Sequence, residues 1–241
     1  MHTGLAASFV VLIAAMAAGN VAPSAAAQPA SGGLLATVDH LVYATPDLQA
    51  GVDRVEKLLG VRATPGGQHP GRGTRNALLS LGPSTYLEII GPDPEQPAPA
   101  QGRAFGIDDL KEPGLATWAA KGKDLEQLIG AAARGGVNLG VVNSGSRRRA
   151  DGVVLSWRRT EAGASVAGGI IPFFIDWGRT PHPATTAARG ASLTGLRAEH
   201  PDPEQVERAL SQLGLDLRVQ RGPRAALIAT ISGPRGQVEL R

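Results

Sequence analysis

From residue 38 onward the chain divides into short apolar runs separated by glycine- and proline-rich turns, the pattern of β-strands interrupted by an occasional amphipathic helix. Val38-Asp39-His40-Leu41-Val42-Tyr43-Ala44 has strand length and closes at Pro46-Asp47-Leu48. Asp47 is placed to cap a helix over Gln49 to Leu59, whose apolar positions Val52, Val55, Leu58 and Leu59 follow helical spacing, and Gly60 stops it. A strand starting at Val61 to Ala63 leads into the loop Pro65-Gly66-Gly67-Gln68-His69-Pro70-Gly71-Arg72-Gly73. Asn76 to Leu81 and Thr85 to Ile90 add two strands around a Gly82-Pro83 turn, which completes a βαβββ unit.

The unit recurs. Residues 93–113 form a proline-rich linker in which Gly102 to Leu110 makes a short turn that would bring Phe105 over a pocket. In the second copy, residues 114–190, Leu115 to Ala120 reads as a strand, Asp124 as a helix cap and Leu125 to Ala133 as a helix ended by Gly135-Gly136. Strands near Arg147 to Arg149, Val153 to Arg158 and Gly169 to Trp177 follow. Residues 191–241 repeat the order in shortened form: strand Leu193 to Ala198, Asp202 capping Pro203 to Leu213, then strands at Leu217 to Arg221, Ala225 to Ser232 and Gln237 to Leu240. The predicted fold is therefore α+β, with βαβββ modules forming a curved mixed sheet around a pocket. The third copy would extend the sheet or cover an edge.

Two polar side chains stand out inside the apolar strands of the first module, residues 36–92: His40, and Glu88 in Thr85-Tyr86-Leu87-Glu88-Ile89-Ile90. Alternation puts His40 on the face of Val38 and Val42, and Glu88 on the face of Tyr86 and Ile90. A buried carboxylate needs a cation, a metal or a raised pKa, so the pair is a candidate metal site or a proton-transferring dyad with Glu88 as base and His40 orienting substrate. The other reading of His40 is a core histidine bonded to backbone. In the loop, His69, Arg72 and Asn76 are candidate substrate contacts, Arg72 as a fork for an anion and Asn76 as loop support. Trp177 is a further candidate contact, although it, Phe173 and Phe174 also suit a core. Asp176, His182 and His69 are candidate additional ligands or acid/base groups. The basic run Arg147-Arg148-Arg149 reads as a solvated edge strand, with an anion-facing role as its alternative, and His200 reads as structural.

The Asp-His-Leu-Val-Tyr opening, the His-Pro-Gly-Arg-Gly-Thr-Arg-Asn loop and Tyr-Leu-Glu-Ile-Ile resemble the glyoxalase-like branch of the vicinal oxygen chelate superfamily. That resemblance implies paired βαβββ modules cradling a divalent metal (Fe, Mn, Zn or Ni), with His40 and Glu88 at the ligand positions. It implies an enzyme, a lyase, isomerase or dioxygenase, acting on a small molecule with neighbouring oxygens; the alternative is a metal-free protein that sequesters a small molecule. The second module departs from the pattern. Aligned on the first, it has Thr117 opposite His40 and no glutamate in its last strand, and Gly195 takes the same place in the third copy.

Composition narrows the setting. The 241 residues contain no cysteine, which excludes disulfides, thiolate nucleophiles and cysteine zinc sites. Twenty-four Lys and Arg against 21 Asp and Glu leave a formal charge of +3, enough for mild attraction to anionic small molecules and too little to indicate nucleic acid binding. Leu5 to Ala18 is apolar but shorter than a membrane span, and Ser24-Ala25-Ala26-Ala27 supplies small residues for cleavage. Residues 1–27 therefore read as a signal peptide, followed by a linker at 28–35. Secretion or a periplasmic location follows, with no membrane anchor in the mature protein; the cytoplasm is the alternative. Pairing of modules between two chains, as in a homodimer, stays open.

Overall fold

The computed structural model describes Met1 and residues 33–149, 152–162 and 166–241. The expected signal peptide and most of the linker after it lie outside these residues. Among those described, no helix is long and apolar enough to cross a membrane.

A short helix α1 (Gly33–Thr37) leads into β1 (Val38–Ala44), α2 (Leu48–Leu59), β2 (Thr64–His69), β3 (Thr74–Gly82) and β4 (Thr85–Pro92). Asp47 caps α2 as the sequence predicts, its Oδ1 accepting from the Ala50 N–H at 3.0 Å, and Gly60 ends it in the left-handed region. Val52, Val55 and Leu59 are the buried stripe of α2, packed beneath the sheet.

The second module runs β5 (Gly114–Lys121), α3 (Leu125–Arg134), β6 (Val141–Arg148), β7 (Val154–Glu161) and β8 (Phe173–Asp176). One cap differs from expectation. Asp124 precedes α3 with φ +46 and makes no side-chain cap bond, so it turns the chain without closing the helix end.

The first two modules share one eight-stranded sheet in the order β2-β3-β4-β1-β5-β8-β7-β6. The half β2-β3-β4-β1 is answered by β6-β7-β8-β5, with β1 and β5 antiparallel at the seam. The sheet curves until its two edges meet: the buried Arg147 guanidinium of β6 donates to the Gly66 carbonyl of β2. This curvature, expected from the paired modules, puts β1, β3 and β4 side chains on a concave inner face.

The third copy comprises β9 (Ser192–His200), α4 (Pro203–Gln212), β10 (Val219–Arg221), β11 (Ala226–Gly233) and β12 (Gly236–Leu240). Asp202 caps α4 through the Gln205 N–H at 3.2 Å. Its strands form a separate sheet in the order β10-β9-β11-β12. The element order of a module is retained, but β9 lies between β10 and β11, whereas β1 pairs with β4 at the far side of its own module. Its apolar face joins the common core: Leu196, Ala198, Leu227, Ala229 and Ile231 cluster with Leu59 and Val55 of α2. It forms its own sheet packed on the common core and does not extend the large sheet, one of the two roles the sequence suggested.

Candidate active site

β1 and β4 are parallel neighbours, with His40 opposite Tyr86 and Val42 opposite Glu88. The His40 ring stacks on the Tyr86 ring at 4.6 Å between centroids and meets Phe173 edge-on at 5.4 Å. That wedge aims Nε2 at Glu88, whose Oε2 is 3.8 Å away. From β2, His69 presents its own Nε2 to Glu88 Oε1 at 3.7 Å. From β3, the Asn76 amide donates to Glu88 Oε1 at 2.5 Å and also reaches His69 Nε2 at 3.2 Å. The first module alone therefore brings two imidazoles, an amide and a carboxylate to one point.

The hydrogen bonds define the tautomers. Asp39 Oδ1 lies 2.7 Å from His40 Nδ1, and a carboxylate oxygen at that distance requires Nδ1 to carry the proton. That leaves His40 Nε2 as the ring nitrogen on the Glu88 side. The Asn76 N–H pointing at His69 Nε2 makes that nitrogen an acceptor, with Nδ1–H directed at Thr74 Oγ1 3.0 Å away. Burial lowers the His69 pKa, which keeps this ring neutral. Burial alone would raise Glu88, but attraction to the His69 and His40 rings in their protonated forms, the Asn76 hydrogen bond and the Arg147 charge outweigh it and hold the carboxyl below its ordinary range. Glu88 is ionised at neutral pH. Burial and the charges of Glu88 and Asp39 raise Tyr86 well above its usual value, so its ring serves as a neutral platform.

Asp39 is a functional residue that strand alternation hides, since it would put Asp39 and His40 on opposite faces. The ladder between β1 and β5 shifts register between Val38 and His40, a β-bulge that turns both side chains into contact. Asp39 is 1% exposed, and three N–H groups address its carboxylate: His40 Nδ1, Trp177 Nε1 at 3.1 and 3.2 Å, and His182 Nε2 at 3.2 Å. The Ala184 N–H donates to His182 Nδ1 at 3.2 Å, so Nε2 carries the His182 proton. Burial would raise the Asp39 pKa; the hydrogen bonds from His182 and His40 override it and hold the carboxyl far below its usual range.

The remaining sequence candidates separate by location. His182 and Trp177 converge on Asp39, behind His40, and do not reach Glu88. Asp176 accepts from the Gly178 N–H at 2.8 Å and faces Arg158 across the β7–β8 ladder, so it joins neither imidazole. Arg72 lines the site from the loop, and Phe105 lies over it as expected. Phe174 is a core residue, but Phe173 and Trp177 line the chamber instead. Thr117 lines the adjoining larger cavity, and its hydroxyl donates to the Gly169 carbonyl at 3.0 Å.

His40, His69, Asn76, Glu88, Phe173 and Trp177 bound an inner chamber of about 70 Å³. It lies beside a larger vestibule of about 730 Å³, and Arg72, Arg159, Phe105 and Phe173 line both. The donor types His40, His69 and Glu88 would suit a divalent cation, but among the described residues no three His, Asp or Glu side chains are placed to hold a metal ion. The expected set His40, Glu88, Asp176 and His182 is not assembled, because Asp39 holds His182 and the Gly178 turn holds Asp176.

The model of the glyoxalase-like domain matches residues 38–214. A comparison with curated protein sequences gives no significant match. Among solved structures, a hypothetical protein from Staphylococcus aureus is similar with a TM-score of 0.59 at 13% identity, covering 80% of this chain and 90% of that one. At that identity the likeness is one of fold. Methylmalonyl-CoA epimerase from Mycobacterium tuberculosis aligns with a TM-score of 0.40 at 19% identity over 63% of this chain and 94% of its own. A hypothetical protein from Bacillus halodurans aligns with a TM-score of 0.40 at 18% identity, covering 59% of this chain and 95% of its own.

Proposed function

The chain belongs to the glyoxalase-like domain family, and on that premise we propose that it is an enzyme moving a proton on a small carbonyl compound with neighbouring oxygens, with Glu88 as the base. One observation carries the reading: an ionised, buried carboxylate faces two imidazole nitrogens, His40 Nε2 at 3.8 Å and His69 Nε2 at 3.7 Å. Such a point can receive a proton from bound substrate and hold it.

In this mechanism the substrate enters through the vestibule and places an acidic C–H beside Glu88. The proton passes to the carboxylate as the C–H electron pair forms a C=C bond to the adjacent carbonyl carbon and the C=O π pair moves onto oxygen, leaving an enolate. A carboxylate with a lowered pKa is a weak base, so it suits a carbon acidified by a neighbouring carbonyl and an oxyanion stabilised by nearby cations. Arg72, Arg147 and Arg159 line the same chamber and supply that field. His40 is the second seat for the proton: its Nε2 lies beside Glu88, and Asp39 at Nδ1 offsets the charge of the doubly protonated ring. Return of the proton to the other face or to the neighbouring carbon gives an epimerase or isomerase. No step passes through a metal ion, since the donors here do not assemble a chelating set.

A metal-free binding protein is the second reading, and the 730 Å³ vestibule favours it. Incubating the full chain in D2O with a panel of small oxo and hydroxy acids, and following deuterium uptake at carbon by NMR, separates the two. Uptake by the wild type that Glu88→Gln abolishes while retaining binding supports the enzyme. Binding without uptake by either protein supports the sequestering role.

A further inference from the structure

Three guanidinium groups line the inner chamber, from Arg72, Arg147 and Arg159. Arg159 and Arg72 share one carboxylate, Glu161, which Asn143 also binds at 2.5 Å. Arg147 differs from both. It is 5% exposed, and its recorded partner is an uncharged backbone carbonyl, Gly66 O. No carboxylate lies within ion-pair distance of it among the described residues; Glu88 acts on it only through space. Glu88 is the one carboxylate among the described residues lining this chamber, and Glu161, which pairs with Arg72 and Arg159, lies on the vestibule side. A buried cation left in that state is costly, and closing the sheet edge needs a single N–H donor, which an uncharged side chain also provides.

We infer that Arg147, with Arg159 beside it, is the seat of a substrate carboxylate, so that the proposed enzyme acts on an organic acid with its anionic group in the inner chamber and its body in the vestibule. This inference rests on the proton-transfer reading of the same site. The dimensions agree: about 70 Å³ admits a carboxylate and the few atoms next to it, while the vestibule offers Phe105, Leu110, Leu115, Val166 and Phe173 to an apolar remainder. The positions of the arginines also fix polarity. Arg103 lines only the vestibule, Arg72 and Arg159 line both spaces and Arg147 lines only the inner chamber, so guanidinium groups lead from the entrance to Arg147 and guide the acid head inward.

Trp157 and Trp177 line the chamber with ring centroids 5.4 Å apart and report occupancy by fluorescence. The full chain is titrated with phenylpyruvate, with its neutral amide, with pyruvate and with inorganic phosphate. The inference expects the acid to bind at least tenfold more tightly than the amide, with a preference that weakens in high salt. Arg147→Gln should reduce that preference by about ten- to a hundredfold. Arg159→Gln does so more mildly, and serves if the first variant does not fold. Equal affinity for acid and amide, or an unchanged preference in both folded variants, overturns it. Phosphate binding that competes with pyruvate supports the anion seat; phosphate binding that leaves pyruvate undisturbed counts against it. Glu88→Gln separates this inference from the proton-transfer reading: it removes a negative charge and should bind the acid at least as well. Retained acid binding with no proton exchange in the wild type would therefore refute only the catalytic reading, and exchange on neutral substrates as fast as on acids would refute only this one.

Discussion

Replacing Asp39 with asparagine tests the polar network behind His40. The carboxylate receives N–H groups from His40, Trp177 and His182 at 2.7, 3.1 and 3.2 Å. Asparagine keeps one acceptor oxygen and turns an NH2 toward the other donors, so at least one buried donor loses its partner, at about 1–3 kcal/mol. The bonds that survive lose their charge assistance, worth roughly 1 kcal/mol in all. The expected loss is about 3 kcal/mol at pH 7, a large part of the roughly 5–15 kcal/mol that holds a domain together. Urea unfolding should show a lower midpoint with the same slope. The effect depends on pH in a defined direction. The folded pKa of Asp39 is depressed, so its contribution is present above the unfolded value of about 3.9 and is lost as pH falls below it. The gap between wild type and Asp39→Asn should therefore narrow below about pH 4. A variant within about 0.5 kcal/mol of wild type, or a gap that stays constant from pH 7 to pH 3, would refute the reasoning.

Gly66→Ala places a Cβ 2.1 Å from Asn76 Oδ1 and 3.0 Å from Leu78 Cγ, which drives the Asn76 amide off Glu88. Thermal unfolding should register a loss of about 1–3 kcal/mol, and the Glu88 carboxyl should titrate at higher pH by NMR. Because burial holds the folded pKa of His69 below its ordinary value, this residue contributes stability above about pH 6.5 that is lost as pH falls. His69→Gln should flatten that part of the stability profile. Proton exchange on an accepted substrate should survive EDTA, since no step depends on a chelated cation; activity lost in EDTA and restored by Mn, Zn, Ni or Fe would require a metal in the mechanism.

Local patterns carried much of this structure into the sequence. Asp47, Gly60 and Asp202 act through bonds to their own neighbours, so the helices they bound were legible from composition alone. His40 and Glu88 were conspicuous because polar groups in oily strands need a reason, and they do face each other. Asp39 was hidden because a β-bulge is a property of the β1–β5 ladder and leaves no mark in β1 itself. Arg147 looked solvated because its burial depends on β6 curling to meet β2, some 80 residues away in sequence. For the same reason His182 and Asp176 looked like ligands: their distance from Glu88 is set by the turn after β8, which the sequence does not measure.

The central claim is that a neutral His69 turns an unprotonated Nε2 toward an ionised Glu88, while His40 points its Nδ1–H at Asp39 and its Nε2 side at the same carboxylate. Long-range proton–nitrogen NMR on the nitrogen-15-labelled full chain at pH 7 reads the protonation of each imidazole nitrogen directly, with His40→Gln and His69→Gln supplying the assignments. The structure predicts a proton on Nδ1 of both residues and none on His69 Nε2. A bare Nδ1 on either ring, or a proton on His69 Nε2, would contradict it.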